Sequence, residues 1–347
     1  MECGVFFTNY KADMALRRKP IQKIRLGIFI AFVIIFPFFA SPYWLNLANQ
    51  IALATIGAIG LNILVGYTGQ ISLGQGAFMA VGAYGSGLLT ARLGVPFWMS
   101  IPIAAFLAAA VGVLFGLPSL RLKGLYLAIA TLAAQEIVEW VVVHWTSVTG
   151  GVEALVVPSP KLFGLRLNTD FRFYWIAVIL AGLTALFTAN LFRSRVGRAF
   201  IAIRDQDIAA EVIGVNVYWY KLLAFATSSF FVGLTGALTA HYRTIISWER
   251  FTLDTSILYL AMIIIGGLGT INGSFFGAAF MTLLPAFINN LGRSLQGSFP
   301  AMATMLPAFQ QAIFGLVIIL FLVIEPEGLA KLWRNIKDYF YVWPFSY

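Results

Sequence analysis

Apolar stretches long enough to form membrane-spanning helices recur along almost the whole chain. A bilayer core about 30 Å thick needs roughly 20 apolar residues in helical conformation. The pattern therefore predicts an all-α, polytopic membrane helix bundle of about ten transmembrane segments. The predicted spans are 26–45, 50–66, 71–91, 96–117, 124–145, 173–192, 221–241, 254–268, 273–292 and 309–325. Because the third is rich in Gly, Ser and Gln and the eighth is short, the alternative is eight spans plus two re-entrant segments.

Basic residues predict the orientation of these spans, since Lys and Arg accumulate in cytosolic loops. With ten spans and the N-terminal tail in the cytosol, most of the 23 basic residues fall on the cytosolic side. Both termini are then cytosolic. We predict a basic N-terminal tail over 1–25, a permease domain over 26–330 and a cytosolic C-terminal tail over 331–347. The longest predicted external loop, 146–172, is either a docking surface or a plain connector.

A polar island, 192–225, interrupts the apolar pattern on the predicted cytosolic side. Its charged and helix-prone residues lie mainly in the 193–220 loop, which ends where apolar sequence resumes after Lys221. A structured loop of this kind on a membrane protein typically binds a cytosolic partner. The simpler alternative is a solvated loop whose arginines only satisfy the charge rule.

Two glycine-rich stretches, 62–85 and 265–278, stand apart from the other spans. Small residues four apart, such as Gly273 and Gly277, allow helix backbones to approach closely. Alternatively, a helix breaks there and its free backbone groups line a translocation pathway. Both interpretations stay open for the first stretch, whereas packing is favoured for the second. Polar side chains in the first stretch are the pathway candidates: Asn62, Gln70, Ser72 and Gln75.

Two acidic residues, Glu136 and Glu139, lie three apart on one helical face of the fifth predicted span. Acidic side chains inside a membrane are costly and mark a functional site by default. They are therefore added to the pathway candidates, and a proton-coupled carrier would use them. The alternative is that the span is shifted and both carboxylates reach a wet surface.

Composition excludes several classes of protein. Hydrophobic residues make up 60% of the 347 and charged residues 11%, whereas a soluble domain has about 25% charged residues. The chain offers no basic face of a soluble domain for nucleic acid. The single cysteine, Cys3, excludes an internal disulfide, and His144 and His241 lack metal-ligand spacing. No phosphate-binding G-x-x-x-x-G-K-[ST] motif is present, so we expect a chain that is not an enzyme and binds no cofactor or metal.

Four blocks carry a resemblance to a known family: 62–85, 116–132, 265–278 and the polar island with its Lys221–Phe225 end. On these blocks, which cover most of the chain from about residue 50 to 290, the sequence resembles the permease subunit of bacterial branched-chain amino acid ABC importers of the LivM type. The resemblance implies a multi-pass protein of the bacterial plasma (inner) membrane. Its expected substrates are leucine, isoleucine and valine.

The resemblance also implies partners and a role for the 193–220 loop. The partners are a LivH-like second permease, two cytosolic LivG/LivF-like ATPase subunits that hold ATP and Mg²⁺, and a periplasmic or extracellular substrate-binding protein. Importer permeases of this kind dock on the ATPase through an E-A-A-x-x-x-G loop. Ala209, Ala210 and Gly214 match that pattern, while Ile208 replaces its acid. The remaining expected coupling residues are Arg198 and, as substitutes for the missing charge, Asp207 or Glu211.

Other functions remain possible from the sequence. Near relatives of this family transport urea and short amides, and nothing in the sequence excludes those solutes. Two rivals from other classes are a proton-coupled secondary carrier and a passive channel. Both would leave the charged, helix-prone loop without a role.

Overall fold

The computed structural model of the chain describes residues 20–118, 122, 124–162, 165–296, 302–325 and 327–342. Most of the predicted N-terminal tail, including Cys3, lies outside the described residues, and so do the last residues of the predicted C-terminal tail. Arg121 and Lys123, on which the predicted orientation partly depends, also lie outside them.

The ten predicted spans each fall on a helix, which confirms the all-α prediction. Span 26–45 runs past the end of its helix, which ends at Phe39 shortly before Pro42. The helices in chain order are α1 (Pro20–Phe39), α2 (Pro42–Thr68), α3 (Gln75–Ala91), α4 (Phe97–Gly116), α5 (Leu125–His144), α6 (Thr146–Thr149), α7 (Asp170–Arg193), α8 (Arg195–Asp205), α9 (Asp207–Val212), α10 (Val217–Arg243), α11 (Leu253–Gly266), α12 (Ile271–Gln296), α13 (Met302–Ile324) and α14 (Leu329–Val342). A 3₁₀ helix, Trp248–Phe251, lies between α10 and α11.

Fewer helices than ten are long and apolar enough to cross a membrane by themselves. Within the described ranges six qualify: α2, α4, α5, α7, α10 and α12. A seventh span results if Ala308–Ile324 and Leu329–Tyr339, which are bent by 49° relative to each other, are taken as one broken span. The short helices α3 and α11 are largely buried among their neighbours. Ten spans and cytosolic termini therefore stay predictions.

The chain divides into two compact units, Met1–Asn46 and Leu47–Tyr347. The described part of the first contains α1, an apolar helix with Pro37 inside it, and the start of α2. The second contains the rest, with a core made of two apolar clusters to which both α2 and α10 contribute. These two helices are mostly buried, whereas α7 exposes most of its apolar surface. An apolar helix with an exposed surface needs lipid or another subunit around it.

Glycines bring the central helices into close contact. An added Cβ on Gly82 of α3 would collide with the backbone of Gly233 in α10. In the same way, one on Gly277 of α12 would collide with the carbonyl oxygen of Met262 in α11. Because backbones touch here, no larger residue fits. The packing interpretation is thus confirmed for the second glycine-rich stretch and accounts for part of the first.

The 146–172 loop lies at the opposite end of α7 from the 193–220 loop, and it carries three short strands. Strand β1 (Leu155–Val156) pairs antiparallel with β4 (Ile245–Ile246), in the register Leu155↔Ile246. Strands β2 (Lys161–Leu162) and β3 (Leu165–Arg166) form a small hairpin. Ile246 and Leu155 both lie over Gly87, near the end of α3. The loop is therefore attached to the helix bundle at β1 and is not free along its whole length.

Candidate functional site

The polar island folds into a pair of short helices, as its helix-prone sequence predicts. Ser194 caps the start of helix α8: its hydroxyl accepts a hydrogen bond from the Gly197 N–H at 3.5 Å. One face of α8 packs inward through Ala199, Phe200 and Ile203. Its arginines Arg195, Arg198 and Arg204 lie on exposed positions. Helix α8 is thus a folded element with a polar outer face.

Helix α9 ends at a glycine whose geometry only glycine adopts easily. Gly214 has a φ of +89°. Its N–H donates to the carbonyl oxygen of Glu211 at 3.0 Å, and the Val215 N–H donates to that of Ala210 at 3.0 Å. This pair of bonds is the Schellman ending of a helix. Gly214 therefore ends α9, and α10 begins three residues later at Val217.

The outer surface of α9 is apolar. Ile208 is 63% exposed, Val212 83% and Ile213 75%, while Ala210 is buried against the bundle. Ala209 and Glu211 lie on the exposed side. Large apolar side chains grouped on an exposed helix typically mark a site of interaction with another protein. We call Ile208, Val212 and Ile213 the α9 patch.

The two acidic residues of α9 have different surroundings. Lys221 is only 7% exposed, and its ammonium nitrogen lies 3.4 Å from the Asp207 carboxylate. A buried ammonium needs a partner of this kind, because an unpaired charge away from water is costly. Asp207 thus attaches α9 to α10, and Glu211 is the acid that faces outward.

Two breaks in the helices meet beside the 193–220 loop. The first break, residues 69–74, separates α2 from α3, and the second, residues 267–270, separates α11 from α12. Asn62 joins them: its Oδ1 accepts from the Gly269 N–H at 2.9 Å, and its Nδ2 donates to the Thr270 carbonyl oxygen at 2.9 Å. A further bond from Nδ2 reaches Ser274 Oγ at 2.8 Å. The glycine-rich stretches therefore contain real helix breaks as well as close packing.

The first break is also bonded to α5 and to the start of α11. Thr131 Oγ1 accepts from the Leu73 N–H at 2.9 Å, and Gln135 Oε1 accepts from the Ala77 N–H at 2.6 Å. The hydroxyl of Ser256 accepts from the Gly76 N–H at 2.8 Å. Thr131 and Ser256 were not predicted as site residues, although a lone polar residue in an apolar helix was the available signal. They satisfy backbone groups that the break leaves free.

The pathway candidates of the first stretch are all buried in this conformation. Gln75 Nε2 donates to the Gly57 carbonyl oxygen at 3.1 Å, and Ser72 Oγ accepts from the Gly74 N–H at 3.3 Å. Gln70 Nε2 donates to Thr68 Oγ1 at 3.1 Å, while Gln70 Oε1 has no hydrogen-bond partner among the described residues. Together with Asn62 they form the polar interior around the break.

Glu136 and Glu139 lie in the middle of α5 on its outer side. Glu136 is exposed, and Glu139 is half-buried in a shallow cleft beside Trp248 and Phe251. Neither acid is brought together with Asn62. Direct contact of a carboxylate with lipid at mid-membrane costs roughly 3 kcal/mol or more. This face of α5 therefore requires water or another subunit against it.

Replacing Asn62 with alanine should loosen the contact between the two breaks. The change removes three hydrogen bonds and leaves the Gly269 N–H without its partner, so we expect a loss of roughly 2 kcal/mol in stability. A thermal unfolding midpoint lower by several degrees for the detergent-solubilised chain would report it. Thr227→Ala is the matched control, because that hydroxyl bonds only to carbonyls of its own helix. An equal shift in both variants would contradict the bridging role.

No group of three His, Cys, Asp or Glu side chains within the described ranges is arranged to hold a metal ion.

Comparison with known proteins places this chain in context. The family described as the branched-chain amino acid transport system permease component matches residues 43–322. The chain is 32% identical to the high-affinity branched-chain amino acid transport system permease protein LivM of Escherichia coli strain K12, over 90% of this chain and 76% of that protein. The Salmonella typhimurium LivM has the same identity and coverage. A probable LivM of Methanocaldococcus jannaschii is 25% identical over 67% of each chain. No solved structure matches the chain.

Proposed function

This chain belongs to the family of permease components of branched-chain amino acid transport systems, and from that premise we propose that it is the LivM-type membrane subunit of an ATP-driven importer. Its substrates are leucine, isoleucine and valine. It is a multi-pass protein of the bacterial plasma (inner) membrane with about ten spans and cytosolic ends. ATP and Mg²⁺ bind to partner subunits, and this chain performs no chemistry.

The exposed α9 patch is the observation that supports this function most directly. A lone carrier or channel has no use for a folded helix pair that presents Ile208, Val212 and Ile213 to water. An ATPase groove that covers these side chains gives them one. Ala209, Ala210 and Gly214 take the positions of the family's docking pattern, and Glu211 supplies the outward-facing charge that Ile208 lacks. Arg198 extends the same surface along α8.

The proposed mechanism is alternating access driven through α9. Closure of two ATPase subunits around ATP moves the docked α9 of each permease, and the spans tilt so that the cavity opens outward. The external binding protein then delivers the substrate. Hydrolysis resets the cavity toward the cytosol. Because the binding protein selects the substrate, the permease needs only weak contacts with it.

The translocation pathway is proposed to run between this subunit and a LivH-like second permease. The outer face of α5 supports this placement, since Glu136 and Glu139 there need a wet or protein-covered environment. The broken segment with Asn62, Gln70, Ser72 and Gln75 lies behind that face and connects to α5 through Thr131 and Gln135. Movement of the break would therefore be transmitted to the pathway wall.

Uptake into proteoliposomes tests the proposed function. The chain is reconstituted with its companion permease, ATPase subunits and binding protein. These proteoliposomes should accumulate labelled leucine only when ATP is present on the side of the membrane that carries the ATPases. Omission of ATP or of the ATPases should reduce uptake to the leak rate. Persistent uptake driven by a proton gradient would instead indicate a secondary carrier, and non-saturable flux would indicate a channel. ATP-dependent uptake of labelled urea in place of leucine would correct the substrate alone.

A further inference from the structure

The 193–220 loop touches the bundle next to the place where the two helix breaks meet. We infer that Arg204, at the end of α8, is the positioning residue that transmits movement of this loop to both breaks. The inference rests on the proposed function, because it concerns how the ATPase-driven motion enters the membrane part. It assigns that step to a residue outside the α9 docking pattern.

Arg204 bonds in two directions. Its Nη1 donates to the carbonyl oxygen of Gly66, near the end of α2, at 3.3 Å. Its Nε and Nη2 donate to Asp205 Oδ1 at 3.0 and 2.9 Å. The planar guanidinium suits this arrangement, because its several donors point in fixed directions. The pair with Asp205 uses Nε and Nη2 and leaves Nη1 for the carbonyl oxygen on α2.

The position of Gly66 makes the contact with Arg204 electrostatically favourable. The last carbonyl groups of a helix carry partial negative charge, and a cation placed there is favourable. α2 ends at Thr68, two residues after Gly66, and the first break follows. Arg204 therefore stabilises the C-terminal end of α2 in its present position relative to α8.

Glycines on both breaks make room for this side chain. A Cβ on Gly69 would lie 3.2 Å from Arg204 Cγ, and one on Gly269 would lie 3.4 Å from Arg204 Nη1. Both glycines have positive φ, +68° and +70° respectively. The first and second breaks thus lie against the same arginine, one on its stem and one at its charged end.

Asn62 makes the two breaks move together. It is one helical turn before Gly66 and is bonded to Gly269 and Thr270 of the second break. A ring stack on the same turn joins α2 to the end of α7, just before α8, since Tyr67 lies nearly parallel to Phe192 at a centroid distance of 3.4 Å. Displacement of α8 would therefore shift the end of α2 and, through Asn62, the start of α12.

The other end of the loop has a separate attachment. The Lys221–Asp207 pair ties α9 to α10, which packs against α3 and α4. Loop movement consequently enters the bundle at two points: at α10 through Lys221, and at the breaks through Arg204. Loss of Arg204 should leave α9 attached and docked while removing the second point. This expectation separates transmission from docking.

The test replaces Arg204 in the complete importer. With Arg204→Gln we expect the ATPase subunits to copurify at wild-type level and to hydrolyse ATP, while ATP-driven leucine uptake falls about tenfold, within the usual range of coupling between sites. Arg204→Lys keeps a cation and a donor at the end of α2 and should recover most of the lost uptake. Arg195→Gln is the matched control, since it removes an exposed arginine from the start of α8, and it should transport normally.

The outcomes are distinguishable. If wild-type protein shows no ATP-driven uptake, the proposed function itself is wrong. If wild type transports and Arg204→Gln transports equally well, the transmission role is overturned. It is also overturned if Arg204→Gln loses the ATPase subunits, which would make Arg204 a docking residue, or if Arg204→Lys is as impaired as Arg204→Gln. A defect in Arg195→Gln of equal size would assign the effect to loop charge in general.

Discussion

Replacing Val212 with aspartate is expected to abolish ATP-driven uptake without unfolding the subunit. Val212 is 83% exposed at the end of α9, so the carboxylate is fully hydrated in the free chain and costs little there. In a docked complex the same carboxylate would be buried in an apolar groove. Disruption of a central interface residue typically costs 2 kcal/mol or more, which corresponds to roughly 30-fold weaker binding. Copurification of the ATPase subunits and leucine uptake should both fall.

The control for this substitution is Val152→Asp. Val152, 69% exposed, is another surface valine, in the 146–172 loop, so the chemical change is identical but lies far from α9. Copurification of the ATPase should be unaffected in this variant. ATPase binding that survives Val212→Asp would show that the α9 patch is not covered by that partner. Loss of binding in both variants would point to a general effect of added charge.

The hydrophobic pattern predicted the helices well because each apolar run is close to the length of one helix. The number of independent spans stays a prediction, since hydropathy does not reveal whether a helix faces lipid or protein. Helix α3 shows the difficulty. Its glycines and polar residues lower its hydropathy, and they are tolerated because the helix is buried among other helices. The interruption between α1 and α2, just before Pro42, was equally hidden within one apolar run.

The candidate site was predicted in outline but not in its contacts. Gly214 could be predicted as a helix end because a glycine after a short helix-prone segment is a local signal. The bond between Asn62 and Gly269 joins residues far apart in the chain, so no local pattern reveals it. The same holds for Arg204, which the sequence presents as one more basic residue of a cytosolic loop. The structure gives it a specific partner in Gly66.

The acidic pair on α5 was predicted only in part. Helical spacing alone placed Glu136 and Glu139 on one face and left both a pathway and a wet surface open. In the structure Glu136 is exposed and Glu139 half-buried on a long apolar helix, so this face requires water or another subunit against it.

Replacing Gly82 with valine should prevent the chain from reaching its folded state. A Cβ at this position collides with the backbone of Gly233, and backbone atoms of α10 have no rotamer with which to give way. Overpacking of this kind costs roughly 3 kcal/mol or more, a large share of the stability of an ordinary domain. Gly182→Val is the matched control, since Gly182 is also a helix glycine but no described heavy atom lies within 4 Å of its Cβ position. Its unfolding free energy should change by less than about 0.5 kcal/mol. Size-exclusion profiles and thermal unfolding of the two solubilised variants decide the matter: a monodisperse Gly82→Val protein with wild-type stability would mean that α3 and α10 do not approach each other as closely as the structure has them.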